Sequence, residues 1–320
     1  MRAEAERMTV LPDILRDYLQ AARSSPARIF QWGMERCGFL VTRAADYYSP
    51  LPSRRRLKQS IHRWSKPSAM RGVDYDLAAI ESRLRILVDS YYREFAILPT
   101  YDRVFEMGFG PGFTRVDAIV LYAMIRAKKP RKYLEIGSGV STYYASAAAG
   151  RNAQEGHPMN IVCIDAHPRG ALSAIPGISV KTQEVQDEPL DSFTALGKND
   201  ILFIDSTHMV RLDGDVPFLL LEVLPALRAG VAIHIHDIAF PFHTPYPPSH
   251  WIYKNTWPVW WNESMLLHAL LSGNKQFSIS VSAPLVRYHD EGFLAHLIPG
   301  YTSLEEEPNT FSSIWLEKCF

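Results

Sequence analysis

Five short apolar segments, each followed by a segment long enough for a helix, restrict the fold more than any other feature of the chain. They are KYLEIG, NIVCID, ISVKT, DILFID and VAIHIHD, which begin at residues 132, 160, 178, 200 and 231. Such an alternation is typical of a parallel sheet that helices cover on both faces. Two later segments, FSISVSAP and SSIWLEK, predict further strands, the last of them antiparallel. We therefore expect an α/β fold with a doubly wound, mostly parallel sheet of seven strands.

The chain before this sheet is predicted to be helical. One helix is indicated by apolar residues at spacings of three and four, and a second by the segment 117–127, which Pro130 follows. We expect residues 1–116 to form a helical N-terminal extension and residues 117–320 to form the sheet domain. The residues of the first apolar stripe are Leu77, Ile80, Leu84, Leu87, Tyr91 and Phe95.

Composition excludes several classes of protein. Lys plus Arg equals Asp plus Glu at 34 each, so net charge does not favour nucleic acid as a partner. No apolar segment approaches the ~20 residues of a membrane span. Cys37, Cys163 and Cys319 have neither metal-site nor disulfide spacing, and Glu4 and Glu6 occupy the place of a signal-peptide core. These features predict a cytoplasmic protein; they leave open whether it forms a homo-oligomer.

A turn with two glycines follows the first predicted strand, in the segment Glu135-Ile-Gly137-Ser-Gly139. Glycines one residue apart between a strand and a helix let a ligand approach the backbone and the helix N–H groups. The fingerprint of dinucleotide-binding proteins has a third glycine, where this chain has Thr142. That difference favours a cofactor without a pyrophosphate, such as S-adenosylmethionine, over a nicotinamide dinucleotide.

Polar residues also end the other predicted strands. Asp165 ends the second strand, where a carboxylate can accept both hydroxyls of a ribose, and Asp187 follows the third, where a side chain could meet an adenine edge. Asp205 ends the fourth strand, and His236 and Asp237 end the fifth. Because doubly wound sheets bind ligands at the carboxyl ends of their strands, these residues predict one site at that edge.

Four stretches in order, KYLEIGSGVST, CIDAHPR, NDILFIDSTH and GVAIHIHDI, resemble the class I S-adenosylmethionine-dependent methyltransferases. The likeness is to the group with EIGSG-ST, IDxxH and HDI motifs, and it extends over about residues 117–318. It implies a Rossmann-like methyltransferase sheet in which the glycine turn passes under the methionine part of the cofactor. It also implies that Asp165 holds the ribose and that Asp187 lies near the adenine. The whole set of predicted cofactor-binding residues is Glu135, Gly137, Ser138, Gly139, Ser141, Asp165, Asp187 and Asp205.

The acceptor must lose a proton during methyl transfer, and two mechanisms for this remain open. Asp205, His236 and Asp237 could hold Mg²⁺, which would lower the pKa of a chelated hydroxyl. Alternatively, His208 or His236 acts as general base beside Asp205, because imidazole titrates near neutral pH. Relatives of this family carry two adjacent acids where this chain has His236-Asp237, which favours the base, with His208 as first candidate. His234 and His236 share one face of their strand, so a joint packing role is a third interpretation.

Residues 239–262 contain four of the seven tryptophans and five prolines. A long loop of this kind is usually functional or an ordered cover. It predicts either a lid over the acceptor, with Trp260 as the residue to test, or rings that pack on the N-terminal helices. Asn262 is expected to cap the helix that follows.

Together these features predict S-adenosylmethionine-dependent O-methylation of a hydroxyl on a small molecule or glycan. The preference for oxygen is implied by the family resemblance and by the cluster of acids and histidines. Two alternatives remain. One is a non-catalytic, methyltransferase-like binding protein that uses its helical N-terminus as an interaction surface. The other is an NAD(P)-dependent oxidoreductase, which Thr142 disfavours.

Overall fold

The structure, a computed structural model, describes residues 26–42, 47–49, 51–248, 250–254, 259–303 and 311–320. The chain divides into two compact units, Met1–Ser60 and Ile61–Phe320. In the first unit the described helices are Pro26–Arg36 and Arg54–Gln59. The second helix begins after Ser53, whose hydroxyl accepts a hydrogen bond from the N–H of Arg56 at 3.2 Å.

The second unit is built on one sheet of seven strands in the order β3-β2-β1-β4-β5-β7-β6. Strands β1 to β5 pair in parallel, and β7 runs antiparallel to both β5 and β6. The strands are β1 Lys132–Ile136, β2 Asn160–Ile164, β3 Ile178–Lys181, β4 Ile201–Ile204, β5 Ala232–His236, β6 Phe277–Val281 and β7 Ser313–Lys318. The doubly wound α/β architecture predicted from the apolar segments is therefore confirmed.

Helices cover both faces of this sheet, and each face has its own apolar core. Tyr133 and Phe203 belong to one core, while Leu134 and Leu202 belong to the other, as the alternation of side chains along a strand requires. Among the described helices none is both long enough and apolar enough to cross a bilayer. The α-helices of this unit are Ile61–Trp64, Leu77–Phe95, Tyr101–Glu106, Arg115–Lys128, Val140–Gln154, Leu190–Thr194, Asp215–Pro217, Leu224–Ala226, Glu263–Leu271 and Ala283–Leu297. The remaining turns of helix are Gly170–Ala174, Val185–Asp187, Phe218–Val223 and His250–Lys254.

The second compact unit begins at Ile61, so it includes helices that the sequence analysis assigns to the N-terminal extension. The helix Leu77–Phe95 places Ile80 and Leu84 in the same core as Phe203 of the sheet. Helical periodicity showed which residues of that helix would be buried, but it contained no information about the surface that buries them.

An ion-pair network also joins the helix Leu77–Phe95 to the sheet domain. Arg126 is almost fully buried and contacts Glu94 at 2.8 Å and Glu155 at 2.5 Å. Removing one partner of such a pair would leave a buried charge uncompensated, which is strongly destabilising. The helix is thus an integral part of the unit.

Candidate functional site

The glycine turn after β1 has a backbone that only glycine accepts easily. Gly137 has φ +82°, and a Cβ added there would lie 2.5 Å from the carbonyl oxygen of Asp205. The ends of β1 and β4 meet at this point, because the N–H of Asp205 donates to the carbonyl of Ile136 at 2.9 Å. The absence of a side chain at residue 137 therefore lets two strand ends and the turn close on one another.

Ser138 and Asp165 bring the end of β2 to the same turn. The Ser138 hydroxyl donates a hydrogen bond to Asp165, whose second carboxylate oxygen accepts the N–H of His167 at 2.8 Å. Together with Gly137, these side chains line a cavity of about 480 Å³. The structure thus brings Asp165, the residue predicted to bind the ribose, to the predicted glycine turn.

Glu135 and Ser141, which were predicted as cofactor contacts, lie behind the turn and do not line this cavity. Glu135 is fully buried and accepts a hydrogen bond from the Ser141 hydroxyl at 2.5 Å. Burial raises the pKa of Glu135 to about 8, although hydrogen bonds from Ser141, Thr142 and Cys163 oppose that change. Both side chains hold the turn in shape from the inside.

Gly139 and Thr142 explain why the third glycine of the dinucleotide fingerprint is not needed here. The helix Val140–Gln154 begins after Gly139, and the N–H of Gly139 donates to the Thr142 hydroxyl at 3.0 Å. A Cβ at Gly139 would meet the carbonyl oxygen of Phe109 at 2.9 Å.

The residue expected near the adenine, Asp187, is exposed and lines neither the cavity at the glycine turn nor the larger cavity beside it, so the structure does not bring it to the site.

The loop after β4 is held against the start of the helix Glu263–Leu271. His208 has φ +59°, and its carbonyl accepts the N–H groups of Asn262 at 3.0 Å and Glu263 at 3.2 Å. The Asn262 side chain accepts the N–H of Val210 at 2.7 Å and makes no capping bond to its own helix. Asn262 is the N-cap residue of that helix, as expected, but its side-chain oxygen binds the His208 loop instead of a helix N–H group.

Three carboxylates surround the imidazole of His208. Its Nδ1 lies 2.9 Å from Oε2 of Glu263, and its Nε2 lies 3.2 Å from Asp205 and 3.3 Å from Asp237. Glu263 was not predicted as a site residue. An acid in the first turn of a helix has an ordinary explanation in the helix dipole, so its sequence position carried no further signal.

This arrangement determines the charges in the cluster. Burial lowers the pKa of His208, but hydrogen bonds to Asp205 and Glu263 and the charge of Asp237 outweigh it and raise the pKa well above its usual value. Burial raises the pKa of Glu263, which His208 only partly offsets. Burial also raises the pKa of Asp205, but the two neighbouring histidines reverse this and leave it below its usual value. These contacts favour the charged imidazolium form of His208 beside the carboxylates.

His234 and His236 lie on one face of β5, as predicted, but in different surroundings. The ring of His234 stacks on Phe203 at 4.3 Å, and its two nitrogens are buried without partners in the described part of the chain. Burial therefore lowers the pKa of His234 well below its usual value. His236 lines a second cavity, and its Nε2 lies 3.8 Å from Asp237. Of these two histidines, His236 is thus the one placed to act on a ligand.

The side chains that could hold a cation differ from the predicted set of Asp205, His236 and Asp237. Among the described residues, ligand atoms of Asp205, His208 and Asp237 lie within 4.8 Å of one another, and His236 is not part of this group. His208 replaces it because the left-handed turn after β4 directs its imidazole between the two acids.

The second cavity has a volume of about 810 Å³ and adjoins the first. Pro111, Asp205 and Ser206 line both cavities. Trp251 and Trp261 form part of the wall of the larger one, and the Trp261 ring lies 4.5 Å from that of His208. Trp260, the residue that the sequence analysis selects for testing, is not among its lining residues, whereas the adjacent Trp261 is. Trp257 lies outside the described residues.

Residues 134–238 match the family model of a methyltransferase domain. No curated protein is a significant sequence match to this chain.

Several solved structures resemble the fold at low identity. A Klebsiella pneumoniae protein assigned as an O-methyltransferase is 13% identical over 72% of this chain and 96% of its own, with a TM-score of 0.44. The O-methyltransferase TomG from Streptomyces achromogenes, solved with SAM, is 14% identical over 78% and 92%, with a TM-score of 0.41. The SAH-bound methyltransferase PaMTH1 from Podospora anserina is 15% identical over 85% and 99%, with a TM-score of 0.39.

The sequence match covers β1 to β5 and therefore every strand end that contributes to the two cavities. Residues 134–238, which form the centre of the seven-stranded sheet, are therefore similar in sequence to a methyltransferase domain.

Proposed function

We propose that this chain transfers the methyl group of S-adenosylmethionine to a hydroxyl oxygen of an acceptor, either a small molecule or a glycan. The observation that carries the proposal is that two cavities adjoin at Asp205. One contains the glycine turn and Asp165, and the other contains the histidine–carboxylate cluster. A donor in the first and an acceptor in the second would meet at their common wall, as displacement at a sulfonium carbon requires.

The smaller cavity suits the cofactor. Gly137 and Ser138 would pass along its methionine part, with Gly139 shaping the turn, while Asp165 would accept the ribose hydroxyls. Ser138 already hydrogen-bonds to Asp165, so the carboxylate is oriented before a ligand arrives. Asp205 would stand between cofactor and acceptor. Asp187 remains only a candidate for the adenine end.

His208 would accept the proton of the acceptor hydroxyl. In methyl transfer the acceptor oxygen would replace sulfur at the methyl carbon, which gives the methyl ether and S-adenosylhomocysteine, and Nε2 of His208 would take the proton. Glu263 would hold the Nδ1–H group through the 2.9 Å contact, which keeps Nε2 directed at Asp205 and Asp237. Because the pKa of His208 is raised, the free base forms only as pH increases, and the rate should rise towards alkaline pH. His236 is the second candidate for the base.

A divalent cation is a second candidate for activating the hydroxyl. Asp205, His208 and Asp237 would hold it, and their ligand atoms are close enough to share one ion. A cation bound there would lower the pKa of a coordinated hydroxyl and would compete with the proton on His208. An imidazole among the ligands suits Mg²⁺ less well than a softer divalent ion, so Mg²⁺ is the weaker form of this alternative.

Calorimetric titration of the full chain with S-adenosylhomocysteine and with NAD tests the cofactor. S-adenosylhomocysteine should bind, and Asp165→Ala should weaken it roughly 10- to 150-fold, which corresponds to about 1.5–3 kcal/mol for a lost hydrogen bond to a charged group. Asp89→Ala, an exposed acid outside both cavities, is the matched control. Binding of NAD without S-adenosylhomocysteine would refute the assignment.

Transfer itself is tested with radiolabelled methyl donor and a panel of phenols, catechols, sugars and oligosaccharides. Incorporation of labelled methyl groups that disappears in His208→Ala supports a catalytic function. If S-adenosylhomocysteine binds tightly while no member of the panel is labelled at any pH between about 6 and 10, with or without added Mg²⁺ or Mn²⁺, the non-catalytic alternative is favoured.

A further inference from the structure

Arg287 places a cationic side chain in the wall of the larger cavity. It lies on the helix Ala283–Leu297, which begins after Ser282, and it belongs to the buried residues of that helix. Only 9% of Arg287 is exposed. A guanidinium that is removed from water to this extent normally has an acidic partner, because burial of an unpaired charge is costly.

Within the described part of the chain, Arg287 has no such partner. Its Nη1 is buried without a hydrogen bond, and its one specific contact is the ring of Phe311, which lies 4.5 Å from the guanidinium carbon. Stacking on an aromatic face fixes the plane of the guanidinium and leaves its N–H groups at the edge available. The side chain is therefore held in place but is not neutralised.

The two acids whose charges act on Arg287 are both bound elsewhere. Glu291 accepts the Tyr301 hydroxyl at 2.9 Å. Asp117 accepts the hydroxyls of Ser313 at 2.6 Å and Thr114 at 2.7 Å. Neither of these described acids forms an ion pair with the guanidinium, so an anionic ligand would meet a donor group that is ready for it.

The surrounding wall has the same polarity. Arg115 lines the same cavity, and its described partners are neutral: the carbonyl of Pro299 at 2.7 Å and the hydroxyl of Tyr92 at 2.9 Å. The acids Asp205 and Asp237 lie instead around His208. One cavity thus contains a cluster of acids around His208 and two arginines that have no acidic partner among the described residues.

On the basis of the methyl-transfer function above, we propose that the acceptor carries an anionic group, a carboxylate, sulfate or phosphate, which Arg287 binds while the acceptor hydroxyl lies at His208. The carboxylate of the methyl donor is not the ligand in question, because Arg287 lines only the cavity without Asp165. A planar guanidinium presents paired donors to any of these three anions, so the shared chemistry is an oxyanion with two or more acceptor oxygens.

Calorimetry of the full chain with small probes tests this assignment, with and without saturating S-adenosylhomocysteine. The probes are benzoate, phenyl sulfate and phenyl phosphate, compared with neutral benzamide. At least one anion should bind roughly tenfold or more tightly than benzamide, and the strongest of the three identifies the group. Arg287→Gln should remove the preference, and Arg287→Lys should keep part of it. Arg85→Gln should leave it intact; Arg85 also stacks on a phenylalanine, but it does not line the cavity.

Three results would overturn the proposal. The first is equal binding of benzamide and all three anions by the unaltered protein. The second is a preference for an anion that survives in a folded Arg287→Gln variant, and the third is weakened binding of S-adenosylhomocysteine by that variant with anion binding unchanged. The first comparison needs no variant, so it decides even if Arg287→Gln does not fold. Failure of S-adenosylhomocysteine to bind while the anion preference persists would refute the methyl-transfer function and leave the anion site supported.

Discussion

Replacement of Glu263 by glutamine should shift the pH dependence of methyl transfer to lower pH. Glu263 is buried, and its carboxylate lies 2.9 Å from Nδ1 of His208. Glutamine keeps a carbonyl oxygen that can accept the Nδ1–H group, so the ring can stay oriented. The negative charge that stabilises the imidazolium is lost, and His208 should therefore release its proton more readily.

The size of the shift follows from the contact that is weakened. A hydrogen bond to a charged group contributes about 1.5–3 kcal/mol. Since one pKa unit corresponds to about 1.36 kcal/mol, the midpoint of the rate profile should move down by about 1–2 pH units. Asp205 and Asp237 still face Nε2, so the pKa of His208 should stay above that of a free imidazole. The rate at the alkaline plateau should change much less than the midpoint.

The assay is the rate of methyl transfer with labelled donor between about pH 6 and 10, at saturating acceptor. Glu222→Gln, which alters an exposed acid, is the matched control and should leave the profile unchanged. Thermal unfolding provides an independent readout. Because the folded-state pKa of His208 is raised, its stabilising contribution is complete below about pH 6.5 and is lost as pH rises through the folded pKa. That alkaline loss should begin at lower pH in the variant. A midpoint that stays in place or moves up would refute the role of Glu263.

Three further predictions concern the rest of the site. His208→Ala should lower turnover roughly 10²–10⁴-fold, the usual effect of losing a general base, with little change in S-adenosylhomocysteine affinity by calorimetry; activity of the unaltered protein that EDTA abolishes and a divalent cation restores would favour the cation instead. Trp261→Ala should raise KM or lower kcat, while Trp260→Ala should do so far less, because Trp261 lines the larger cavity and Trp260 does not; equal steady-state effects would contradict this. Gly137→Ala should lower the melting temperature, since φ is +82° and the new Cβ would meet the Asp205 carbonyl at 2.5 Å; an unchanged melting curve would show that the turn is less constrained than described.

Local patterns in the sequence accounted for most of the fold. The apolar segments predicted all seven strands because buried parallel strands need continuous apolar residues, and the antiparallel β7 was also predicted. The extent of the compact unit was not predictable. The stripe that includes Ile80 and Leu84 showed that one helix had a buried face, but not that this face packs into the core of the sheet.

The sequence by itself determined the glycine turn and the acid beside it, at the proposed cofactor end of the site. The spacing of Gly137 and Gly139 and the acid that ends β2 are local features, and each follows directly from the strand before it. Only the tertiary structure decided the acceptor end. Glu263 meets His208 from 55 residues along the chain, and Arg287 comes from a different helix again. Contacts of this kind depend on how separate elements pack against one sheet edge, and no short stretch of sequence specifies which elements those will be.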